Sequence, residues 1–345
     1  MLIPAVFKYT DKSKALLLIS LLALGQTISS FHTIFQEAFG SELVPNFFVG
    51  KLSESGQLAL TLPLIFGIIF LRQGDIKTSE GVFSMSLFTI GLLFGFSHKY
   101  FESYSILLLA SFLLLSVFVI SVVIKKKNIT DIRNFVLLYA PICFASFALN
   151  LKRGPWIGVI VATLILFFKF NRKHLVPVIV CFLILFFSFT PIRERVLSSK
   201  SHFFISGGRA SMWKVAGELM TRYPLGVGYK ASRNLASYSI DIPSYLNHFH
   251  NNLLNIIVEF GVFNLFLYLI WIFLLLKNSF KGENSFKGES QGKSKAKDYV
   301  YIIGLSILSS QLAGLVEYNI GDSEVLLVFL LLVGLKDVLS YEKTA

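Results

Sequence analysis

Apolar residues run along this chain in blocks long enough to cross a bilayer, separated by short polar connections. The blocks are 14–31, 56–71, 81–97, 103–124, 134–150, 156–169, 175–190, 252–276, 299–316 and 323–339. A crossing helix takes roughly 20 apolar residues, with about 17–25 as the usual range. The pattern predicts an all-α, polytopic membrane protein of about ten transmembrane helices. One segment, 191–250, contains no spanning run. Loops of that length are uncommon unless they carry function. The chain divides accordingly into an N-terminal bundle at 1–190 of about seven helices, a large loop at 191–250, and a C-terminal bundle at 251–345 of about three helices.

Inside the loop the period changes. From Arg209 onward, Met212, Val215, Ala216, Leu219 and Tyr223 fall on one helical face with Trp213 and Met220 beside them, while Lys214, Glu218 and Arg222 lie elsewhere. This predicts an amphipathic helix on the membrane surface. It stops at Pro224, in Tyr223-Pro224-Leu225-Gly226-Val227-Gly228-Tyr229.

Composition agrees with a lipid-solvated chain. Of 345 residues, 54% are hydrophobic, 15% are charged and 35 are phenylalanine. One soluble core cannot hide that much apolar surface. The net charge of +12 is explained by lysines and arginines in cytoplasmic connections, so no nucleic-acid partner is expected. With the N-terminus inside, inward segments hold Lys8, Lys12 and Lys14; Arg72 and Lys77; Lys125 to Lys127 and Arg133; Lys169, Arg172 and Lys173; six lysines within 277–298; and Lys336 and Lys343. The short outward connections hold only Lys51, Lys99, Lys152 and Arg153. The alternation holds across all ten blocks and puts 191–250 in the periplasm. The first block resembles a signal peptide, but Gln26, Thr27, Ser29 and Ser30 make it polar early, which favours an uncleaved span. Cys143 and Cys181 fall in apolar runs, and no structural disulfide is expected.

Three features share the outer side. The first is Leu151-Lys152-Arg153-Gly154-Pro155-Trp156, which joins two spans with almost no linker. Gly154 and Pro155 would let the chain reverse there. Arg153 either faces a cavity or snorkels to the headgroups. The second is Ser206-Gly207-Gly208-Arg209 through Trp213. A cation in the first helical turn opposes the macrodipole, and a bound anion would remove the conflict. Two glycines at a helix start also expose backbone N–H groups of the kind that bind phosphate. The third is Asn247-His248-Phe249-His250-Asn251-Asn252. Its histidines could be metal ligands, structural residues, or a general base near neutral pH. No cysteine or carboxylate cluster lies beside them in sequence, so no metal and no cofactor is expected.

The outer compartment lacks ATP and nucleotide sugars, so a polymer-building enzyme there needs a donor that carries its own activation. A glycan on a polyprenyl pyrophosphate fits. Arginines would hold its phosphates through planar, multidentate hydrogen bonds and stabilise the charge on the leaving group. No magnesium is then required, in keeping with the sparse carboxylates near these motifs.

Together, Arg153-Gly154-Pro155-Trp156, Gly208-Arg209 through Trp213-Lys214, Pro224-Leu225-Gly226-Val227-Gly228, and His250-Asn251 followed by Gly261 resemble the O-antigen ligase and O-antigen polymerase superfamily. The likeness is dense over about 150–275. It implies a metal-independent, inverting glycosyl transfer in the bacterial inner membrane, with the active site facing the periplasm. Arg153 and Arg209 would bind an undecaprenyl-pyrophosphate-linked glycan. His250 would deprotonate or orient the acceptor hydroxyl, with Gly208, Trp213, His248 and Asn251 in support. Two departures stand out: members often have more spans than the ten counted here, and Asn264 replaces the second glycine of Gly-x-x-Gly. A ligase would transfer to lipid A-core, whereas a polymerase would extend a lipid-linked chain; His-x-His-Asn at a span start favours the ligase. A transporter or lipid-linked glycan flippase is the alternative of another class, although no internal repeat supports it.

Overall fold

The computed structural model describes residues 10–42, 44, 45, 48, 50–71, 88–96, 136–170, 172, 175–205, 207–239, 242, 243, 246–281 and 291–341. Among them every regular element is helical: α1 Lys12–Phe39, α2 Lys51–Phe70, α3 at 88–96, α4 Val136–Leu149, α5 Arg153–Phe170, α6 Leu175–Ser188, α7 Thr190–Leu197, α8 Ser199–Phe204, α9 Arg209–Arg222, α10 Asn252–Phe280, α11 Gln291–Ala313 and α12 Ser323–Ser340. Eight of the ten expected blocks coincide with α1, α2, α4, α5, α6, α10, α11 and α12. The block 103–124 and the first part of 81–97 lie outside the described residues, as do the basic stretches at 72–77 and 125–133.

Among the described residues four helices, α1, α2, α5 and α10, are long and apolar enough to cross a membrane. Their surfaces agree with lipid as solvent. Phe263, Phe266 and Phe273 on α10 are exposed, which water would penalise. The main core joins α1, α2, α4, α5, α11 and α12 around Leu58, Leu62, Val159, Leu166, Ile303 and Leu332. There α11 packs against both α5 and α2. The α5 contact is close: a Cβ on Gly158 would sit 2.1 Å from the Ser309 carbonyl oxygen. Small residues permit such backbone approach where helices have only packing to hold them. Gln26, Thr27, Ser29 and Ser30, the polar residues of the first block, are buried within α1, which continues through them.

Two local expectations are corrected. Helix α5 begins at Arg153, so Gly154 and Pro155 are not the reversal. The chain turns at Asn150–Lys152, where Leu151 takes a left-handed φ of 51°. Proline is tolerated in a first helical turn because its missing N–H would have no intrahelical partner there. Amphipathic α9 likewise does more than lie on a surface. Met212, Val215, Ala216 and Leu219 pack with Leu235, Ile242, Phe249, Ile257 and Val258, which seats α9 on the first turns of α10. Tyr223, expected on that face, is exposed because the helix ends at Arg222.

Candidate active site

Helix α10 carries a break that explains the longest motif. Gly261 has φ 87° and ψ 172°, a conformation for glycine alone, and it interrupts the helical hydrogen bonding. The loop Pro224–Gly228 satisfies the freed groups. The Val227 and Gly228 N–H groups donate to the Val258 and Glu259 carbonyls at 2.8 and 3.0 Å, and the Val262 N–H donates to the Pro224 carbonyl at 2.9 Å. Asn264, the departure from Gly-x-x-Gly, donates from Nδ2 to the Phe260 carbonyl at 2.7 Å. Pro-Leu-Gly-Val-Gly is therefore a clasp on a broken helix. Its role is to orient the start of α10, where the histidines are.

That start is fixed on a second side by the segment after α11. The Asn251 Oδ1 caps α10 by accepting from the Leu254 N–H at 3.0 Å, while its Nδ2 donates to the Leu315 carbonyl at 2.7 Å. The Asn252 N–H donates to the Gly314 carbonyl at 2.7 Å. These bonds bring residue 317 alongside residue 250. His250 itself holds a left-handed φ of 49°. Such strain persists only where surrounding contacts over-determine it.

Glu317, which no motif flagged, is the centre of the site. Its Oε1 lies 3.0 Å from Arg209 Nη2, and its Oε2 lies 3.6 Å from His250 Nδ1. The Glu317 side chain is 15% exposed, against 25% for Arg209 and 23% for His250. Gly154 is small because of it: a Cβ there would sit 2.7 Å from Glu317 Cγ and 3.0 Å from the Ala313 carbonyl oxygen. The N-terminal turn of α5 thus packs onto the carboxylate, which puts Arg153 and Lys152 at the same place. Burial alone would raise the Glu317 carboxyl, but His250, Arg209 and Lys152 hold it below the ordinary 4.5.

The two predicted arginines meet here, joined by two cations that the motifs did not single out. Arg153 lies within electrostatic reach of Arg195 and Arg209. Burial lowers the Lys152 ammonium below its ordinary value; Glu317 opposes that, while Arg195, Arg209 and Arg153 add to it. Arg195 donates from Nε to the Leu151 carbonyl at 3.1 Å, tying α7 to the α4–α5 turn. Three cations thus lie within reach of Glu317, and Arg195 stands beside two of them. The carboxylate-poor site expected from sequence is corrected to this extent. Glu317 also answers part of the conflict at the start of α9, since it supplies an anion to Arg209. No side chain caps Gly208 at that helix start, and Ser206 lies outside the described residues.

The supporting residues fall around this centre. Trp213 donates from Nε1 to the Phe249 carbonyl at 3.1 Å, linking α9 to the histidine segment. The rings of His248 and His250 meet edge to face with centroids 4.1 Å apart, and the His250 N–H donates to His248 Nδ1 at 3.3 Å. Burial, helped by the neighbouring His250, pushes His248 down to about 4, so it stays neutral at physiological pH. Tyr318 flanks His248 at 5.6 Å between ring centroids. Among the described residues no group of three His, Cys, Asp or Glu side chains is arranged to hold a metal. Cys143 is a buried free thiol, and the Cys181 side chain lies outside the described residues.

The architecture and the site define an all-α membrane protein in which, among the described residues, a cluster of cations meets the Glu317 carboxylate and the His250 imidazole. The sequence model of the O-antigen ligase family matches residues 138–269, a stretch that includes Arg153, Arg209, the clasp and both histidines. The resemblance to the O-antigen ligase and polymerase superfamily holds over these residues, and it supports a multi-pass, glycosyltransferase-type enzyme acting on lipid-linked glycans. No curated protein matches the chain.

Proposed function

We propose that this chain is an O-antigen ligase-like glycosyltransferase that moves a glycan from undecaprenyl pyrophosphate to lipid A-core. In this reading about ten spans cross the inner membrane, with the N-terminus inside. The spans of 1–190 and of 251–345 pack into the one core described above, and the 191–250 loop lies over a site that faces the periplasm. The observation that carries the reading is the charge imbalance at the site: Lys152, Arg153 and Arg209 all lie within electrostatic reach of Glu317, and Arg195 adds its charge beside Lys152 and Arg153. Like charges held this close call for an anion of more than one charge, and a pyrophosphate ester supplies it.

The chemistry follows as a single displacement. Arg153 and Arg209 hold the pyrophosphate, with Lys152 and Arg195 adding positive charge behind them. Glu317, beside His250 Nδ1, orients the imidazole and leaves Nε2 to accept the proton of the acceptor hydroxyl. The acceptor oxygen bonds to the anomeric carbon from the face opposite the leaving group, which inverts that centre. The anomeric carbon–oxygen bond breaks, and its electron pair leaves with lipid pyrophosphate, stabilised by the arginines. These residues alone supply the charge and the base, so the mechanism needs no metal. An O-antigen polymerase would use the same donor and residues with a lipid-linked acceptor.

The test is a deletion strain complemented with variants. Loss of the gene should leave full-length polymer on the lipid carrier and bare lipid A-core. His250→Ala and Arg209→Ala should insert normally and fail to restore capping. A single repeat unit on lipid A-core would make the enzyme a polymerase. Unchanged surface glycan with failed solute uptake would make it a transporter. Full capping by either variant would overturn the residue roles.

A further inference from the structure

A second buried carboxyl lies in the bundle behind the cation cluster, and the chemistry above does not use it. Glu54, in the first turn of α2, is fully buried. Its Oε1 accepts from the Ser146 hydroxyl at 2.8 Å, and its Oε2 accepts from Asn150 Nδ2 at 3.1 Å and from the Thr33 hydroxyl. The three donors come from α1, α4 and the residue just after α4. Glu54 and Thr33 both fall outside the stretch matched to the O-antigen ligase family.

Stability does not account for this carboxyl. Burying an ionisable group costs several kcal/mol, and well-packed apolar residues of similar volume often serve a bundle as well or better. Ionisable residues inside membrane bundles are rare and mark functional positions by default. What sets this one apart is where its partner leads. Asn150 is followed by Leu151, with its left-handed φ of 51°, and then by Lys152 and Arg153. The Leu151 carbonyl is held by Arg195. The reversal is thus gripped at consecutive residues, from the bundle side by Glu54 and from the loop side by Arg195. A guanidinium fork needs this, because multidentate phosphate binding tolerates little displacement.

We propose that Glu54 is a positioning residue for the donor site: through Asn150 it fixes the turn that presents Lys152 and Arg153 to the donor's phosphates. This rests on the donor reading above. The test titrates full-length protein in lipid nanodiscs with inorganic pyrophosphate by calorimetry, and follows thermal melting of the same samples. Glu54→Leu leaves the buried Thr33, Ser146 and Asn150 donors without an acceptor, so it should melt below wild type, and at a temperature where it is fully folded it should bind pyrophosphate on the order of tenfold more weakly. Glu54→Gln should recover most of the loss, because its amide oxygen can accept from Asn150 and Thr33 while its amide nitrogen donates to Ser146. Asn150→Leu, which leaves Glu54 its other two donors, repeats the loss should Glu54→Leu fail to fold. Combined with Arg153→Lys, either leucine variant should weaken binding by less than it does alone, because only the Lys152 contact is left to lose, whereas a general loss of stability would add in full. Wild-type affinity in the folded leucine variants overturns the positioning role while Arg153→Lys still tests the donor site. Absence of binding by wild type would overturn both.

Discussion

Replacing Glu317 with glutamine keeps the shape of the side chain and removes one charge, and the structure predicts that substrate binding and turnover respond in opposite directions. Glu317 sits 3.0 Å from Arg209 and 3.6 Å from His250. At an effective dielectric of about 20, unit charges 3 Å apart attract by ~5 kcal/mol before desolvation is counted. Breaking a buried pair by removing one partner typically costs about 3–5 kcal/mol. Partial exposure of both groups argues for the lower end, so Glu317→Gln should destabilise the free enzyme by roughly 3 kcal/mol. The donor, however, competes with this carboxylate for Arg209. Without Glu317 the cations are less neutralised, so donor KM should stay level or fall. The imidazole loses the group that orients it, and kcat should drop on the order of 10²-fold, the lower end of what a positioned base contributes.

The assay is transfer by purified protein in nanodiscs, with lipid-linked glycan as donor and kcat and KM separated. Wild-type kcat in Glu317→Gln, or a large rise in donor KM, would refute the assignment. A pH series adds an independent check. The Glu317 carboxyl lies below its ordinary 4.5 in the folded protein. Its contribution to stability is therefore complete above 4.5 and lost as pH falls through the lower, folded value. Wild type should show that acid-side loss of melting temperature, and Glu317→Gln should not.

Two further substitutions test the frame around the site. Arg153→Lys keeps the charge but not the fork, and donor kcat/KM should fall by about tenfold or more; activity equal to wild type would mean that Arg153 only snorkels to headgroups. Gly261→Ala would put a Cβ 2.5 Å from the Leu225 carbonyl carbon at φ 87°, so thermal unfolding should reveal a loss of roughly 2–5 kcal/mol, and an unchanged melting temperature would refute the clasp.

What the sequence revealed, and what it concealed, follows from the range of each interaction. The helices were legible because apolar blocks are local, and eight of them coincide with observed helices. The α4–α5 turn was misread by three residues because glycine and proline commonly reverse a chain. Here Gly154 is small to admit Glu317, and Pro155 merely tolerates a first turn. Arg209 and His250 were legible as chemistry through odd placement: a cation at a helix start and an imidazole before a span. The groups that unite them were not. Arg209 and Glu317 stand 108 residues apart, and no periodicity connects an acid at the end of one span to an arginine in another loop. One signal was available. Outward connections carry few lysines and arginines, so Glu317, just after the 299–316 block, has no basic neighbour in the sequence. In a lipid-solvated chain an acid without a neighbouring base must find its partners by tertiary contact, because water is not there to solvate it. Unpaired carboxylates near span ends are therefore better guides to the donor site than the glycine motifs, which here close a helix break.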